Sequence, residues 1–173
     1  TQDWLQITGP TSNQVGSAFK TDNIVRGDDV VLSFSVYLGD GTGADGMSMT
    51  VLDVDRMTTF LGGDGCGLGF GYDIACNFGP ALPGYSVEVD TYYNSEVDPT
   101  PEDHVAFYVD GDLSIPLAWA AVPDQEDSGW HEVVVRIQAP AVEVELDGTV
   151  LFTTFLDPSI DLDFPAHVGF TAG

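Results

Sequence analysis

The 173-residue chain carries 28 acidic residues against four Lys and Arg, which gives it a formal net charge of −24 at pH 7. This charge argues against nucleic-acid binding, because no basic groove could follow a phosphate backbone, and it disfavours an anionic membrane surface. Hydrophobic residues make up 43% of the chain and aromatic residues 11%, a composition typical of one globular domain rather than of a disordered acidic tail.

Short runs rich in β-branched and aromatic residues recur along the chain, and helix signals are almost absent. Each run is bounded by Gly, Pro or Asp, which predicts strands. Asp147-Gly148 is a favoured pair for a tight hairpin turn. The predicted strands are, in chain order, 30–38, 47–54, 85–93, 104–110, 131–138, 141–148, 150–155 and 166–172.

Strands at this spacing, without a repeat or a linker, predict an all-β fold: an antiparallel β-sandwich of the jelly-roll type, with residues 1–173 forming a single domain. No apolar run reaches the length of about 20 residues that a membrane-spanning helix needs, so we expect no membrane insertion. We expect an exported module of a larger protein, whose targeting segment lies elsewhere or has been removed.

A glycine-rich segment, residues 61–73, lacks any strand period and is followed by no helix. Its glycines either let the backbone approach a partner closely or belong to a flexible surface loop. Cys66 and Cys76 lie in and just after this segment. In an exported protein they predict one disulfide, with two free thiols as the alternative, and two cysteines are too few for a zinc site.

The predicted strand 85–93 and the residues after it concentrate oxygen ligands. Strand alternation places Val87 and Val89 on one face and Glu88 and Asp90 on the other. Asn94, Asp98 and His104 follow within fourteen residues of Asp90. Hard divalent cations bind such oxygens, and a transition metal also accepts imidazole. The alternative is a solvent-facing acidic strand in a very acidic chain.

The same stretch resembles the metal-binding signature of legume lectins and their L-type relatives, which have a concanavalin A-like jelly-roll fold. The family pattern is close to V-E-F-D-T-Y-x-N, then D-P, then H-I-G-I-D-V. This chain has VEVDTYYN at 87–94, DP at 98–99 and HVAFYV at 104–109. Further segments agree in the same order, so the resemblance covers nearly the whole chain: GSAFK (16–20), VVLSFSVYL (30–38), ADGMSM (44–49), GLGFG (67–71) and HVGFTAG (167–173).

The resemblance implies two adjoining metal sites that share Asp90 and Asp98. Calcium would be bound by these two carboxylates together with Asn94 and the backbone carbonyl of Tyr92. A second divalent transition metal, expected to be manganese, would be bound by the same two carboxylates with Glu88 and His104. Calcium in that family is structural and also fixes the sugar site.

The resemblance also implies a glycan-binding site built around Asp45. This carboxylate would accept hydrogen bonds from sugar hydroxyls, after an Ala44–Asp45 peptide bond held in cis. Asn94 would donate its NH₂ group to the same sugar. A backbone N–H of the glycine-rich segment, at Gly63 or Gly65, would add another donor, and Tyr93 is the preferred aromatic to stack on the sugar, ahead of Tyr92 and Tyr72.

Three functions compete. The first is a non-enzymatic, calcium-dependent lectin domain, secreted or at the cell surface, with glycans as partners. The second is a laminarinase-like glycoside hydrolase, but Tyr93 stands where the third acid of its E-x-D-x-x-E strand should be. The third is a structural or adhesion spacer that calcium only rigidifies. We expect His131 and His167 to be structural, and Trp4, Trp119 and Trp130 to be core or cavity residues. Sugar specificity and oligomeric state are left open.

Overall fold

The computed structural model of the protein describes residues 3–39, 45–74 and 79–173. Within these ranges, no helix is long and apolar enough to cross a membrane. A 3-10 turn, Gly65–Gly67, lies in the glycine-rich segment. The strands are β1 Gly16–Arg26, β2 Asp29–Val36, β3 Gly46–Asp53, β4 Gly84–Asp90, β5 His104–Val109, β6 Ala118–Ala121, β7 His131–Gln138, β8 Ala141–Leu146, β9 Thr149–Phe155 and β10 Pro165–Ala172.

The strands form two antiparallel sheets, which confirms the predicted all-β sandwich. The six-stranded sheet has the order β1-β10-β3-β4-β5-β6, and the four-stranded sheet has the order β2-β7-β8-β9. Three predicted strands end two or three residues early, at Val36, Asp90 and Leu146. Strand β6 was not predicted because its sequence, AWAA, contains no β-branched residue and covers only four positions at a sheet edge.

The main core lies between the two sheets. Alternate residues of β3 and β4 face it from the six-stranded sheet, and alternate residues of β7 and β8 face it from the other side. All are almost completely shielded from solvent. The central members are Met49, Val51, Val87, Val89, Val133, Val135, Ile137, Val142 and Val144.

A second, smaller core covers the outer face of the six-stranded sheet. Phe70 and Leu82 pack there against Leu52, Ala106 and Tyr108. Backbone hydrogen bonds join the turns of the glycine-rich segment, including one of 2.7 Å from Gly62 N–H to the Gly69 carbonyl. The flexible-loop interpretation of this segment is therefore wrong for its described part, which is a packed cover. Both faces of the central strands β3, β4 and β5 are buried, but only one of these faces is lined throughout by apolar side chains.

Candidate metal centre

The candidate metal centre lies on the outer face of the six-stranded sheet, where β4 ends and β5 begins. The antiparallel register places Asp90 opposite His104 and Glu88 opposite Ala106. Because side chains of one strand alternate between faces, Glu88 and Asp90 point to the same side as His104. The sheet thus brings His104 together with Glu88 and Asp90, which precede it by sixteen and fourteen positions.

Asp98 joins them from the loop between β4 and β5. One ligating atom each of Asp90, Asp98 and His104 lies within 4.8 Å of the other two, a separation that a single metal ion can bridge. The loop is held in place by its own backbone: the Asn94 carbonyl accepts hydrogen bonds of 3.0 Å from the N–H groups of Val97 and Asp98. The Asn94 N–H donates in turn to the Asp98 carboxylate.

The solvent-facing interpretation of this strand is wrong. Glu88 and Asp90 are each only 2% exposed, because the glycine-rich cover lies over the sheet. Ser86 donates a hydrogen bond of 3.4 Å to Glu88, and the Tyr92 N–H donates one of 3.0 Å to Asp90. These contacts leave much of the acceptor capacity of two buried carboxylates unused.

Two further ligand atoms are buried without any hydrogen-bond partner: Asn94 Oδ1 and His104 Nε2. The other ring nitrogen of His104 lies 3.4 Å from the Glu102 carbonyl, which can only accept, so Nδ1 carries the proton. Nε2 then presents its lone pair to the carboxylates. Buried polar atoms are nearly always satisfied in folded proteins, so both atoms call for a hydrogen-bond donor or a cation.

The electrostatics of the cluster favour a bound cation. Burial, and then the charge of Asp98, raises the pKa values of Glu88 and Asp90 well above their ordinary range. Burial also raises the pKa of Asp98 to about 6, against a hydrogen bond from the Asn94 N–H that lowers it. Burial lowers the pKa of His104 and favours the neutral imidazole that binds metals.

The chain has no cationic side chain left for this cluster. Its four basic residues form ion pairs elsewhere: Lys20 with Asp22, Arg26 with Asp28 and Asp163, Arg56 with Asp53 and Asp110, and Arg136 with Glu143 and Glu145. Like charges buried together without a counter-charge are strongly unfavourable. A bound divalent cation is the chemistry that this donor set fits best.

Asp45 lies beside the metal cluster. Its carbonyl accepts a hydrogen bond of 3.0 Å from the Thr91 N–H, the residue after Asp90. Burial, and to a smaller degree the charge of Asp64, raises the pKa of the half-buried Asp45 carboxyl. A Cβ atom added to Gly65 would lie 3.0 Å from Asp45 Oδ2, so Gly65 lies beside this carboxylate and leaves little room for a side chain between them. Ala44, and with it the predicted cis peptide bond, lies outside the described residues.

The two glycines predicted to donate to sugar differ in their availability. Gly63 is buried, and its N–H donates to the Gly71 carbonyl at 3.1 Å. Gly65 is half-buried with a positive φ of 51°, and its carbonyl accepts from the Leu68 N–H. Tyr92 and Tyr93 are equally exposed, at 49%, so exposure does not distinguish them as stacking residues.

No family model matches the sequence. Solved structures similar to this chain include peanut lectin, with 23% identity, a TM-score of 0.67, and coverage of 96% of this chain and 76% of that one. The VIP36 exoplasmic/lumenal domain in its Ca²⁺/Man-bound form has 15% identity, a TM-score of 0.68 and coverage of 96% and 69%. The Emp46p carbohydrate recognition domain in its potassium-bound form has 15% identity, a TM-score of 0.60 and coverage of 94% and 72%. The chain has the L-type lectin fold.

Within this L-type lectin fold, a group of hydroxyl residues near the metal cluster went unnoticed in the sequence. Ser48 lies opposite Glu88 in the β3–β4 register, and its Oγ shares hydrogen bonds of 2.8 Å with Thr50 and 3.1 Å with Thr171. All three are fully buried. The alternation of Ser and Thr with Met in residues 47–50 was the available signal, because it places hydroxyls on the face opposite the core.

Two expectations about other residues have different outcomes. Trp4, Trp119 and Trp130 were expected in the core or in a cavity, which is wrong: they are 53%, 43% and 52% exposed. The predicted Cys66–Cys76 disulfide stays a prediction, because Cys76 lies outside the described residues, although Cys66 is buried in the second core.

His131 hydrogen-bonds to Asp147 and Asp127 and lies outside the metal cluster.

Proposed function

We propose that this domain binds glycans without catalysing a reaction on them, and that it requires calcium to do so. The observation that carries the proposal is the pair of buried, unpartnered atoms Asn94 Oδ1 and His104 Nε2, together with the ligand atoms of Asp90, Asp98 and His104 that lie within 4.8 Å of one another. An amide oxygen and carboxylates are ligands that calcium prefers. A neutral imidazole with carboxylates suits a transition metal such as manganese.

The donor types favour a dinuclear arrangement. Asp90 and Asp98 would bridge the two ions, with Asn94 Oδ1 and the Tyr92 carbonyl on calcium. Glu88 and His104 Nε2 would complete the ligands of the second ion. Each bridging carboxylate has two oxygens, so it can serve both ions, and the positive charges would lower the pKa values that burial raises.

The sugar would bind at the surface above calcium. Asp45 would accept hydrogen bonds from two hydroxyls, and Asn94, with its oxygen on calcium, would donate from Nδ2. Gly65 is the better placed of the two predicted N–H donors, because the Gly63 N–H is already bonded to Gly71. Tyr93 is the proposed stacking residue, with its half-exposed ring available to the apolar face of a sugar.

The absence of catalysis is part of the proposal. Glu88 would have to be one of the two carboxyls of a retaining glycosidase, which must reach both faces of the scissile bond. Its 2% exposure beneath the glycine-rich cover leaves no room for a sugar. The exposed residue three positions after Asp90 is Tyr93, whose phenol cannot replace the missing acid.

Several coarser features support a carbohydrate-binding role. The VIP36 structure is described as Ca²⁺- and mannose-bound, and that of Emp46p as a carbohydrate recognition domain. We propose an extracellular or lumenal location and a place within a longer protein, consistent with the predicted Cys66–Cys76 disulfide. Weak binding at one shallow site would be strengthened by several copies acting together.

A spacer whose calcium only stiffens the fold is the second candidate, favoured by the deep burial of Glu88 and Asp90. A glycan array in calcium and in EDTA, with wild type, Asp45→Asn and the control Asp29→Asn, separates the two. We expect calcium-dependent binding that Asp45→Asn abolishes and Asp29→Asn retains. Thermal stabilisation by calcium with no glycan bound would support the spacer, and reducing-sugar release that survives EDTA would support an enzyme.

A further inference from the structure

Three aromatic side chains form an exposed cluster away from the metal ligands. Trp4, Tyr37 and Trp130 are 53%, 45% and 52% exposed, although residues of this size usually bury most of their surface. Trp130 lies between the other two, with ring-centroid distances of 5.9 Å to Trp4 and 5.5 Å to Tyr37. We call these three residues the aromatic platform.

Strand pairing explains why the rings meet. Val36 ends β2 and lies opposite His131, which begins β7, so Tyr37 and Trp130 leave the sheet side by side. The interplanar angles are 41° for Trp4–Trp130 and 45° for Tyr37–Trp130. The rings therefore present a twisted surface rather than a closed stack, and each keeps about half of its area open to a ligand.

The aromatic platform lies at the same end of the sandwich as the metal centre. The chain segment 122–130 begins beside the metal strand, where Gln125 N–H donates to Asp103 at 2.7 Å, one residue before His104. The segment ends at Trp130. Two residues earlier, the Ser128 N–H donates a hydrogen bond of 3.2 Å to the Gly39 carbonyl. Tyr37 itself precedes Asp45 by only eight positions in the sequence.

Polar residues lie on both sides of Trp130 in the sequence. His131, next to Trp130, is held by Asp147 at 2.8 Å and by Asp127 at 3.2 Å. The Asp127 side chain is 55% exposed, so its carboxylate can accept hydrogen bonds from solvent or from a ligand. An apolar platform with an exposed carboxylate three residues before Trp130 fits a molecule that has an apolar face and a rim of hydroxyls, as a pyranose ring does.

We propose that the aromatic platform is a second carbohydrate contact, which stacks a pyranose ring of a polysaccharide or long oligosaccharide independently of calcium. The choice of carbohydrate as the ligand class rests on the function proposed above. The exposure of the three rings is an independent observation. A chain bound here and at Asp45 together would be held at two points, which raises its affinity without any new contact at either.

A second copy of the protein is a poorer occupant. Three aromatic side chains of about 200 Å² each, half exposed, offer roughly 300 Å², whereas a stable interface buries about 800 Å² per partner. The net charge of −24 on each copy would also oppose association. A neutral ligand the size of a sugar ring meets neither obstacle.

Native affinity electrophoresis in gels containing mannan, β-1,3-glucan, xylan or galactan tests the proposal. We compare wild type, Asp45→Asn, Trp130→Ala and the Asp45→Asn/Trp130→Ala double variant. Trp119→Ala is the matched control, because Trp119 is similarly exposed but lies on β6 outside the cluster. Thermal melting checks that each variant is folded, and Trp130→Phe tests whether an aromatic ring restores binding.

We expect Asp45→Asn to keep a calcium-independent retardation in at least one gel, and Trp130→Ala in that background to weaken it by about tenfold or more. Trp119→Ala should have no effect. Three results would each overturn the aromatic-platform proposal. They are no retardation of wild type in any gel, equal losses for Trp119→Ala and Trp130→Ala, and self-association that Trp130→Ala abolishes.

The same gels separate this inference from the proposed function. Retardation that needs calcium and Asp45 but is unchanged by Trp130→Ala would contradict the aromatic-platform proposal and support the lectin site. Retardation that needs Trp130 but neither calcium nor Asp45 would contradict the lectin site and support the aromatic platform. Either result can be interpreted without knowing the natural glycan.

Discussion

Two acidic clusters lie at opposite ends of strand β4, and they solve the same electrostatic problem differently. At the Gly84 end, Asp53 and Asp110 flank Arg56, with a distance of 2.8 Å between Arg56 Nη2 and Asp110 Oδ1. Burial raises the pKa of Asp110, but hydrogen bonds from Arg56 and from the Gly84 N–H outweigh it and lower the pKa. At the Asp90 end, no Lys or Arg among the described residues pairs with the carboxylates, and burial raises the pKa values of Glu88 and Asp90.

The difference shows which cluster obtains its counter-charge from the protein itself. Arg56 supplies the counter-charge of the first cluster from within the sequence, so that cluster needs nothing further. The second contains an imidazole nitrogen and an amide oxygen without partners, and it lies under a packed cover. We therefore expect the Gly84 end to ignore divalent cations and the Asp90 end to depend on them.

The largest expected effect is on metal binding. Asp90→Asn removes a carboxylate proposed to bridge both ions, so calcium affinity measured by titration calorimetry should fall at least about 100-fold. Asp110→Asn is the matched control at the Arg56 cluster, and it should leave calcium affinity unchanged. Equal calcium affinity for wild type and Asp90→Asn would contradict the assignment.

The next largest effect is expected from a substitution that disrupts the Arg56 cluster. Arg56→Met leaves the buried Asp53 without its cation, which should cost about 2–3 kcal/mol in the free energy of unfolding measured with urea. Because this cluster has no role in metal binding, the loss should be the same with calcium and with EDTA. A loss that calcium reverses would show that the two clusters are not independent.

The pH dependence of the metal-free protein gives a smaller effect with a definite sign. The pKa of Asp98 is about 6 in the folded chain against an ordinary 3.8, so its protonated form favours folding. Stability from this group is present at low pH and is lost as the pH rises through about 6. In EDTA at pH 8, Asp98→Asn should therefore be more stable than wild type by about 1–2 kcal/mol, after allowing for the partial exposure of Asp98.

Thermal melting at several pH values checks this prediction. The two proteins should converge near pH 4, where Asp98 is protonated in the folded wild type. Saturating calcium at pH 8 should reverse the order, because the ion stabilises only the protein that keeps its ligand. An Asp98→Asn variant that is the less stable protein in EDTA at pH 8 would refute the argument that burial of the Asp98 carboxylate destabilises the metal-free fold.

The smallest effect separates sugar binding from metal binding. Gly65→Ala places a methyl group 3.0 Å from Asp45 Oδ2 at a φ of +51°. We expect about tenfold weaker binding of a glycan identified on the array, with calcium affinity unchanged. Gly148→Ala is the control, since its φ of +77° carries the same backbone strain with open space around it. A similar loss of glycan binding in both variants would assign the effect to strain alone.

The fold was largely predictable because its strands are long and periodic. Alternation of Val with polar residues in β4 and β8 marks the core face directly, and Asp147-Gly148 marks the turn between β8 and β9. Strand β6 was not predictable, because its four residues are held by pairing with β5 rather than by their own preference. The exposed tryptophans were also missed, since size alone favours burial and the pairing that brings Trp130 beside Tyr37 is not local.

The residues of the candidate site were predictable from residue type and order, whereas their burial and hydrogen bonding were not. The alternation of Glu88 and Asp90 with valines indicated a shared face, and the register with β5 explains how His104 joins them. Burial of that face could not be read from the sequence, because it depends on the glycine-rich segment folding back over the sheet. The unequal availability of the Gly63 and Gly65 N–H groups has the same origin.

The metal content of the purified domain tests the central claim most directly. The protein is stripped with chelator, dialysed against calcium and manganese, and measured by inductively coupled plasma mass spectrometry. We predict one calcium and one manganese per chain for wild type and for Asp110→Asn, and loss of both ions for Asp90→Asn. A folded wild-type domain that retains neither ion at millimolar concentrations would contradict the account.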